Sequence, residues 1–412
     1  MRAAIAAERS LEFNRDALRH SKVGGFCQME VRNVVHQYDL PTDIQFCKSC
    51  TMSNQRPRIK FNSEGVCSAC LYAIEKKTSV AWADRWVQLE ELADEVRSGD
   101  GSFDVVVPCS GGKDGSFVAH TLKTRLGLNP LCVTWAPIRP TEIGQANLRN
   151  FIDSGFNHVM GTPNPDVTRK LTRDSLHHLG DPFQPFIYGQ SNFPLNIAVA
   201  HGIKLVMYGE NGEVEYGGDM SGALSPVKSV KNFNKHYFSG LPVSFWTDLG
   251  YTESELAMFQ GPQAGELEQN HTRVHFLGYY TPWDPQGNYY YAAEHCGFEP
   301  GENRSEGTYS RYASLDDKFD GFHYYLGFIK FGIGRATSDS AHEIRDGLIS
   351  RDEGVALVKR YDGEFPSEHL DEFLDYCQIS KAGFDQIVDS WRSDHIWEGR
   401  GSGNWILRKQ VE

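Results

Sequence analysis

Two stretches of this sequence combine residue types at spacings that support chemistry. The first runs Ser110-Gly111-Gly112-Lys113-Asp114-Gly115-Ser116. Its glycines let a main chain approach a phosphate without a Cβ in the way. Lys113 adds a mobile positive charge, and Asp114 is suited to hold Mg²⁺ on phosphate oxygens. The second is Cys47-x-x-Cys50 with Cys67-x-x-Cys70, sixteen residues apart. Each pair forms a knuckle offering two thiolates, and two knuckles complete a tetrahedral sulfur site of the zinc-ribbon kind. A structural Zn²⁺ is expected there; an iron–sulfur cluster and a redox dithiol are the competing readings. Cys27 reads as a buried packing residue rather than a fifth ligand.

Chemistry at these positions requires elements that hold them. The β-branched run Val105 to Val107 predicts a buried strand that ends at Pro108. After the glycines, Phe117, Val118, Leu122 and Leu126 recur at helical spacing. A strand, a glycine turn and a helix N-terminus together direct free N–H groups at one anion. Further strands are predicted at Leu131–Trp135, Asn157–Met160 and Lys204–Tyr208. Helices are predicted over Val80–Ser98, over Glu142–Gly155, before Gly180 and over Pro194–Gly202. The alternation predicts an α/β fold with a parallel sheet. Ligands of such sheets sit beyond the carboxyl ends of the strands, which brings Ser110–Ser116, Trp135–Arg139 and Gly209–Glu213 to one cleft.

The expected organisation is an N-terminal extension (1–42), a zinc ribbon (43–76), a nucleotide domain (77–210), an aromatic, glycine-rich substrate segment (211–314) and a helical C-terminal region (315–412). Within the last, Ser367 and Ser380 read as helix N-caps.

The formal charge of −13 argues against a broad nucleic-acid surface, which needs a basic face. No run approaches the roughly 18 apolar residues of a membrane helix. The N-terminus, MRAAIAAERSLEFNRDALRH, has charges throughout and reads as a short amphipathic helix rather than a secretory signal. A cytoplasmic address is expected, and nine cysteines in such a chain suggest metal or chemistry rather than disulfides.

The γ-phosphate motif GxxxxGK[ST] and the dinucleotide fingerprint GxGxxG are both missing after the first strand. What stands there, SGGKDGS, resembles the SGGxDS signature of PP-loop ATP pyrophosphatases, with Gly115 where a serine is usual and Ser116 one place later. Ser110-x-x-Lys113 also fits the S-x-x-K of serine acyl enzymes, but Ser225-x-x-Lys228 fits it as well, so the pattern discriminates poorly. Cys109 could serve as a nucleophile for sulfur transfer, or simply pack.

The ribbon cysteines, PCSGGKDGS, YGENGEVEYGG, WDP, EGTY, SLDDK and FIKFGIGRATSDSAHEIRDG occur in the order seen in N-acetyl sugar amidotransferases, PP-loop enzymes of bacterial surface-polysaccharide synthesis. The resemblance spans Cys47 to about Gly363. It implies an adenine nucleotide alpha hydrolase-like domain, ATP, and a nucleotide-linked sugar whose acetamido group becomes an acetamidino group, with release of AMP and pyrophosphate. Against that chemistry, Ser110 to Ser116 are the expected ATP-binding residues. Lys113, Asp114, Glu210, Lys318, Lys330 and Arg335 are the expected catalytic and charge-stabilising residues. Asp317 joins Glu210 as a candidate magnesium or base group, and His323 reads as a packed or capping histidine. No G-x-C-x-G glutaminase elbow is present, and the resemblance implies a separate glutaminase subunit, with a cyclase-like subunit as a further companion. The competing functions are a PP-loop tRNA thiolase and a non-catalytic zinc-ribbon scaffold.

Overall fold

A computed structural model describes residues 31–227, 239–263 and 265–412. The helix expected at the N-terminus, Cys27 and Lys228 lie outside those residues. Helices α1 (Ser68–Thr78) and α2 (Trp82–Val96) lead into strand β1 (Val105–Pro108), the centre of a five-stranded sheet. Helix α3 (Lys113–Leu126) follows β1, and α4 (Glu142–Asp153) joins β2 (Pro130–Trp135) to β3 (Asn157–Gly161). Helices α5 (Pro165–Leu179) and α6 (Gln184–Ala200) then cross to β4 (Leu205–Tyr208), and β5 (Arg273–Phe276) ends the sheet. The order is β3-β2-β1-β4-β5 and every pairing is parallel.

Parallel strands covered on both faces read as continuous apolar runs, and the period of two assigns each residue a side. Val106, Leu131, Val133, Trp135 and Val206 join a core with α5 and α6. Val105, Val107, Cys132, Leu205 and Met207 join a second core with α2 and α3. The strand order reverses between β1 and β4, so the loops leaving their carboxyl ends open on one crevice.

Helices α7 (Pro285–Cys296), α8 (Asp320–Phe331), α9 (Arg335–Asp346), α10 (Arg351–Tyr361), α11 (Leu370–Cys377) and α12 (Lys381–Ser390) follow, and a short antiparallel pair of Trp397–Glu398 with Ile406–Leu407 comes after them. A third core joins Phe319, Phe322, Phe373, Phe384 and Trp391 to Leu176 and Phe183 of the α/β unit.

Four expectations need correction. The segment after Gly209 contains β5 and α7, both unforeseen. Strand β5, RVHF, is a four-residue edge strand with two basic side chains, too short for an apolar signature. Helix α6 starts ten residues before Pro194 and runs through it. Pro194 cannot bond the carbonyl four residues back, and the Tyr208 hydroxyl instead donates to the carbonyls of Gln190 (3.5 Å) and Ser191 (3.4 Å). Ser380 does cap α12, accepting from the Gly383 amide at 3.1 Å, but Ser367 lies outside α11 and binds Glu306.

Candidate functional site

The turn after β1 is shaped by what its glycines touch. Gly111 has φ +82°, and a Cβ there would come within 2.5 Å of the Leu148 main chain, so this residue lets the turn press against α4. A Cβ on Gly115 would lie 2.8 Å from Cys109 Cα and 2.9 Å from its Cβ and Sγ. The first turn of α3 therefore seats directly on the end of β1, which explains why no serine stands at 115. Ser116 is fully buried with its hydroxyl 3.9 Å from Cys109 Sγ. Only Ser110 of the two serines reaches the crevice.

Ser110, Gly112, Lys113, Asp114 and Gly115 line a cavity of about 430 Å³. Trp135, Phe186 and Pro194 add apolar surface to its lining, and Ser314, Asp316 and Asp320 add polar groups. Gly112 is the N-cap of α3 and provides no side-chain acceptor, so the first-turn N–H groups have no capping side chain. The Lys113 ammonium lies 2.5 Å from Asp114 Oδ2, and Asn288 of α7 donates to Asp114 Oδ1 at 3.0 Å. Segment 315–318 is bound to the start of α4: the Thr141 amide donates to the Asp316 carbonyl at 3.2 Å, and the Lys318 amide to the Arg139 carbonyl at 2.8 Å.

A second chamber of about 320 Å³ shares Lys113, Asp114, Tyr312, Ala313, Tyr324 and Arg335 with the first. Its other walls are Glu210 beyond β4, Arg56, Trp283, and one face of α9 carrying Asp339, His342, Glu343 and Asp346. Spacings of three and four place those α9 side chains together. Most of its charges are matched. Arg335 pairs with Asp339 at 3.0 Å and binds the Tyr324 hydroxyl, Tyr309 donates to Glu343 at 2.8 Å, and His342 meets Asp346 at 2.8 Å. Among the described residues Glu210 makes no such pair; burial and the nearby Asp114 charge raise its pKa.

The four ribbon cysteines are buried, with sulfur atoms all within 4.8 Å of one another. Cys47–Cys70 and Cys50–Cys67 separate by 3.9 and 3.8 Å. A tetrahedral metal about 2.3 Å from each thiolate sets sulfur–sulfur edges of roughly 3.8 Å, so the donor set fits zinc. The Ser49 and Cys67 amides donate to Cys47 Sγ at 3.4 and 3.3 Å. Ala341 and Ile344 of α9 pack on the cluster, and the Thr51 hydroxyl binds Ser340 at 3.0 Å. Arg58 grips Glu213 at 2.7 and 2.8 Å, and Lys76 pairs with Glu215 at 2.6 Å. The ribbon thus braces two walls of the second chamber.

Arg335 joins Lys113 and Asp114 at the shared wall and Glu210 lines the second chamber beside them, whereas Lys318 and Lys330 line neither. Lys318 pairs with Glu372 at 3.0 Å, outside both cavities. Lys330 is buried in the C-terminal core and donates to the Leu179 carbonyl at 3.1 Å, because that face of α8 turns inward. Asp317, pushed up to about 8 by burial, accepts amides of Ile138, Arg139 (3.3 Å) and Phe319 (2.9 Å) and lines neither chamber. His323 pairs with Asp181 at 2.9 Å, a packing role as expected. Burial pushes the Cys109 thiol up to about 12, which keeps it protonated. Asn288, Tyr312, Tyr324, Asp339, His342 and Glu343 were not singled out beforehand. The one available signal was the i, i+3, i+4 spacing of acids and histidine within GRATSDSAHEIR.

Fold and site together define an α/β protein with a glycine turn at the reversal point of a parallel sheet and a four-cysteine cluster of metal-binding geometry. Residues 306–411 match the family described as LPS biosynthesis protein WbpG-like, C-terminal domain. That stretch holds α8 to α12 and supplies the second chamber with Arg335 and the α9 carboxylates. No curated protein matches this chain. Among the described residues, no helix is long and apolar enough to cross a membrane.

Proposed function

We propose that this protein is an ATP-dependent amidotransferase of surface-polysaccharide synthesis, acting in the cytoplasm on a nucleotide-linked acetamido sugar. The observation that carries the reading is the shared wall. One chamber opens on the Ser110–Gly115 turn, the other is built partly from the WbpG-like stretch, and Lys113, Asp114 and Arg335 face both.

An amide carbon is a poor electrophile with a poor leaving group. In the proposed reaction the acetamido oxygen attacks the α-phosphorus of ATP, and the bond to pyrophosphate breaks. Lys113 and the first-turn amides of α3 stabilise the departing pyrophosphate. Asp114 would be the residue to hold a magnesium ion, whose charge would offset the leaving pyrophosphate. Asp316 and Asp320 orient the nucleotide side of the cavity. Arg335, held by Asp339 and Tyr324, offsets charge on the transferred phosphoryl group. Ammonia then displaces AMP at carbon. A separate glutaminase subunit, with a cyclase-like companion, is the proposed ammonia source. The work of the site is positioning and charge stabilisation.

The tRNA thiolase reading draws less support. Outside the ribbon, the described cysteines are buried and their thiols are pushed up by burial, Cys109 and Cys377 to about 12. Such thiols are poor nucleophiles.

The test is to incubate the protein with ATP, Mg²⁺, ammonium and a panel of UDP- and CMP-linked acetamido sugars. AMP and pyrophosphate release that requires both sugar and ammonium supports the proposal. Release that requires tRNA and a sulfur donor overturns it. Lys113→Met and Asp114→Asn should abolish AMP formation while leaving bound zinc unchanged.

A further inference from the structure

Ammonia is protonated at neutral pH, and ammonium has no lone pair with which to attack carbon. A site that uses it needs a proton acceptor close to the activated amide. Glu210 is placed for that work. It follows the carboxyl end of β4 at the reversal point of the sheet. Its main chain is fixed on two sides: Gly278 donates to the Gly209 carbonyl at 3.0 Å, and Gly209 lies so close to the Trp283 ring that a Cβ would meet it at 2.6 Å. Asn211 then starts the next turn by accepting the Glu213 amide at 3.2 Å. The side chain therefore enters the second chamber from a rigid base.

The neighbouring carboxylates are already engaged: Asp114 by Lys113 and Asn288, Asp339 by Arg335, Glu343 by Tyr309, Asp346 by His342. Among the described residues, Glu210 is the chamber carboxylate with no such partner. The tyrosine rings of 216, 312 and 324 complete the lining, and aromatic faces attract small cations.

We infer that the second chamber admits ammonium and that Glu210 is the base that deprotonates it beside the adenylated amide. This rests on the proposed function. One proton passes from ammonium to the Glu210 carboxylate. The nitrogen lone pair forms the C–N bond, and the C–O bond breaks with its electron pair on AMP. The surplus proton on the added nitrogen passes to water, leaving the acetamidino group. The charged groups that face Glu210 are Lys113 and Asp114 from the turn after β1 and Arg56 from the ribbon. From α9, Arg335 and His342 add positive charge across the chamber.

The experiment compares the full-length wild type with Glu210→Gln in two half-reactions. Adenylation is read by ATP–pyrophosphate exchange with the same panel of UDP- and CMP-linked acetamido sugars. Amination is read by amidine formation with ammonium chloride from pH 6.5 to 9.5, and with hydroxylamine, which is uncharged at neutral pH. The expected result is exchange within a few-fold of wild type. Ammonium-dependent product at pH 7 should fall about 10²-fold or more, the usual scale of general-base catalysis. The deficit should shrink as pH rises and nearly vanish with hydroxylamine. Loss of exchange in step with amination would overturn the inference, because Glu210 would then serve adenylation. An amination deficit that is constant with pH, or equal with hydroxylamine, would overturn it as well. Absence of exchange in the wild type would instead refute the function on which the inference rests.

Discussion

Gly115→Ser would install the serine that PP-loop sequences usually carry, and the packing of α3 makes it costly. The new Cβ would sit 2.8 Å from Cys109 Cα and 2.9 Å from Cys109 Cβ and Sγ. Real Cβ atoms do not approach other atoms this closely, and one of these atoms is backbone at the end of the central strand, so a rotamer change cannot relieve the overlap. The start of α3 must move off β1. Inserting atoms into a close-packed core costs about 1–3 kcal/mol. At about 2–4 °C per kcal/mol for a domain of this class, Tm should fall by about 2–12 °C. The same movement displaces Lys113 and Asp114, so AMP formation should fall together with stability. Adding Cys109→Ala removes the Sγ overlap but keeps those with Cα and Cβ, so the double variant should recover only part of the loss. Thermal unfolding by circular dichroism and an AMP assay give both readouts. Unchanged Tm and activity in Gly115→Ser would refute the packing argument, and would leave the displaced serine unexplained.

Three further outcomes follow from the structure. Cys67→Ser, or treatment of the wild type with a metal chelator, should increase amide hydrogen exchange across 335–346, because the ribbon cluster packs directly on α9. The His342 imidazolium lies between Asp346 and Glu215; burial disfavours its charge, but those two carboxylates outweigh it and raise its pKa above the ordinary 6.5. Its contribution is therefore fully present below pH 6.5 and is lost as pH rises through the raised value, so wild type and His342→Gln should converge in denaturant stability on the alkaline side of 6.5. Lys330→Met should keep AMP formation within a few-fold of wild type, since Lys330 lies in the C-terminal core; a large loss would reinstate it as a site residue.

The parts of the fold that the sequence announced are those where local and tertiary preferences agree. Val105 to Val107 had to be buried on both faces, and the glycines after them mark the turn. The cysteine spacing likewise encodes its own geometry. Strand β5 was hidden because four residues at a sheet edge need no apolar run. Helix α6 was cut short because Pro194 normally stops a helix, and the compensating Tyr208 hydroxyl comes from another element. Helix α7 did carry a signal, with Asp284 accepting from Gln286 at 3.0 Å and Pro285 opening the helix. Its aromatic composition obscured that signal. In the site, residues on the turn after β1 were legible from type and spacing. Lys318 and Lys330 were not: Lys330 lies on the face of α8 that turns into the core, and Lys318, in the segment before α8, is held by Glu372. The α9 carboxylates needed the ribbon's position to acquire meaning.

In the proposed reaction the acetamido oxygen itself attacks ATP. An acceptor labelled with ¹⁸O in its acetamido carbonyl tests it directly, with the label followed by mass spectrometry after turnover with ATP and ammonium. Attack by that oxygen places one ¹⁸O in the phosphate of AMP for each acetamidino group formed. Label retained in the sugar product, or found in water or in pyrophosphate while AMP stays unlabelled, would contradict it.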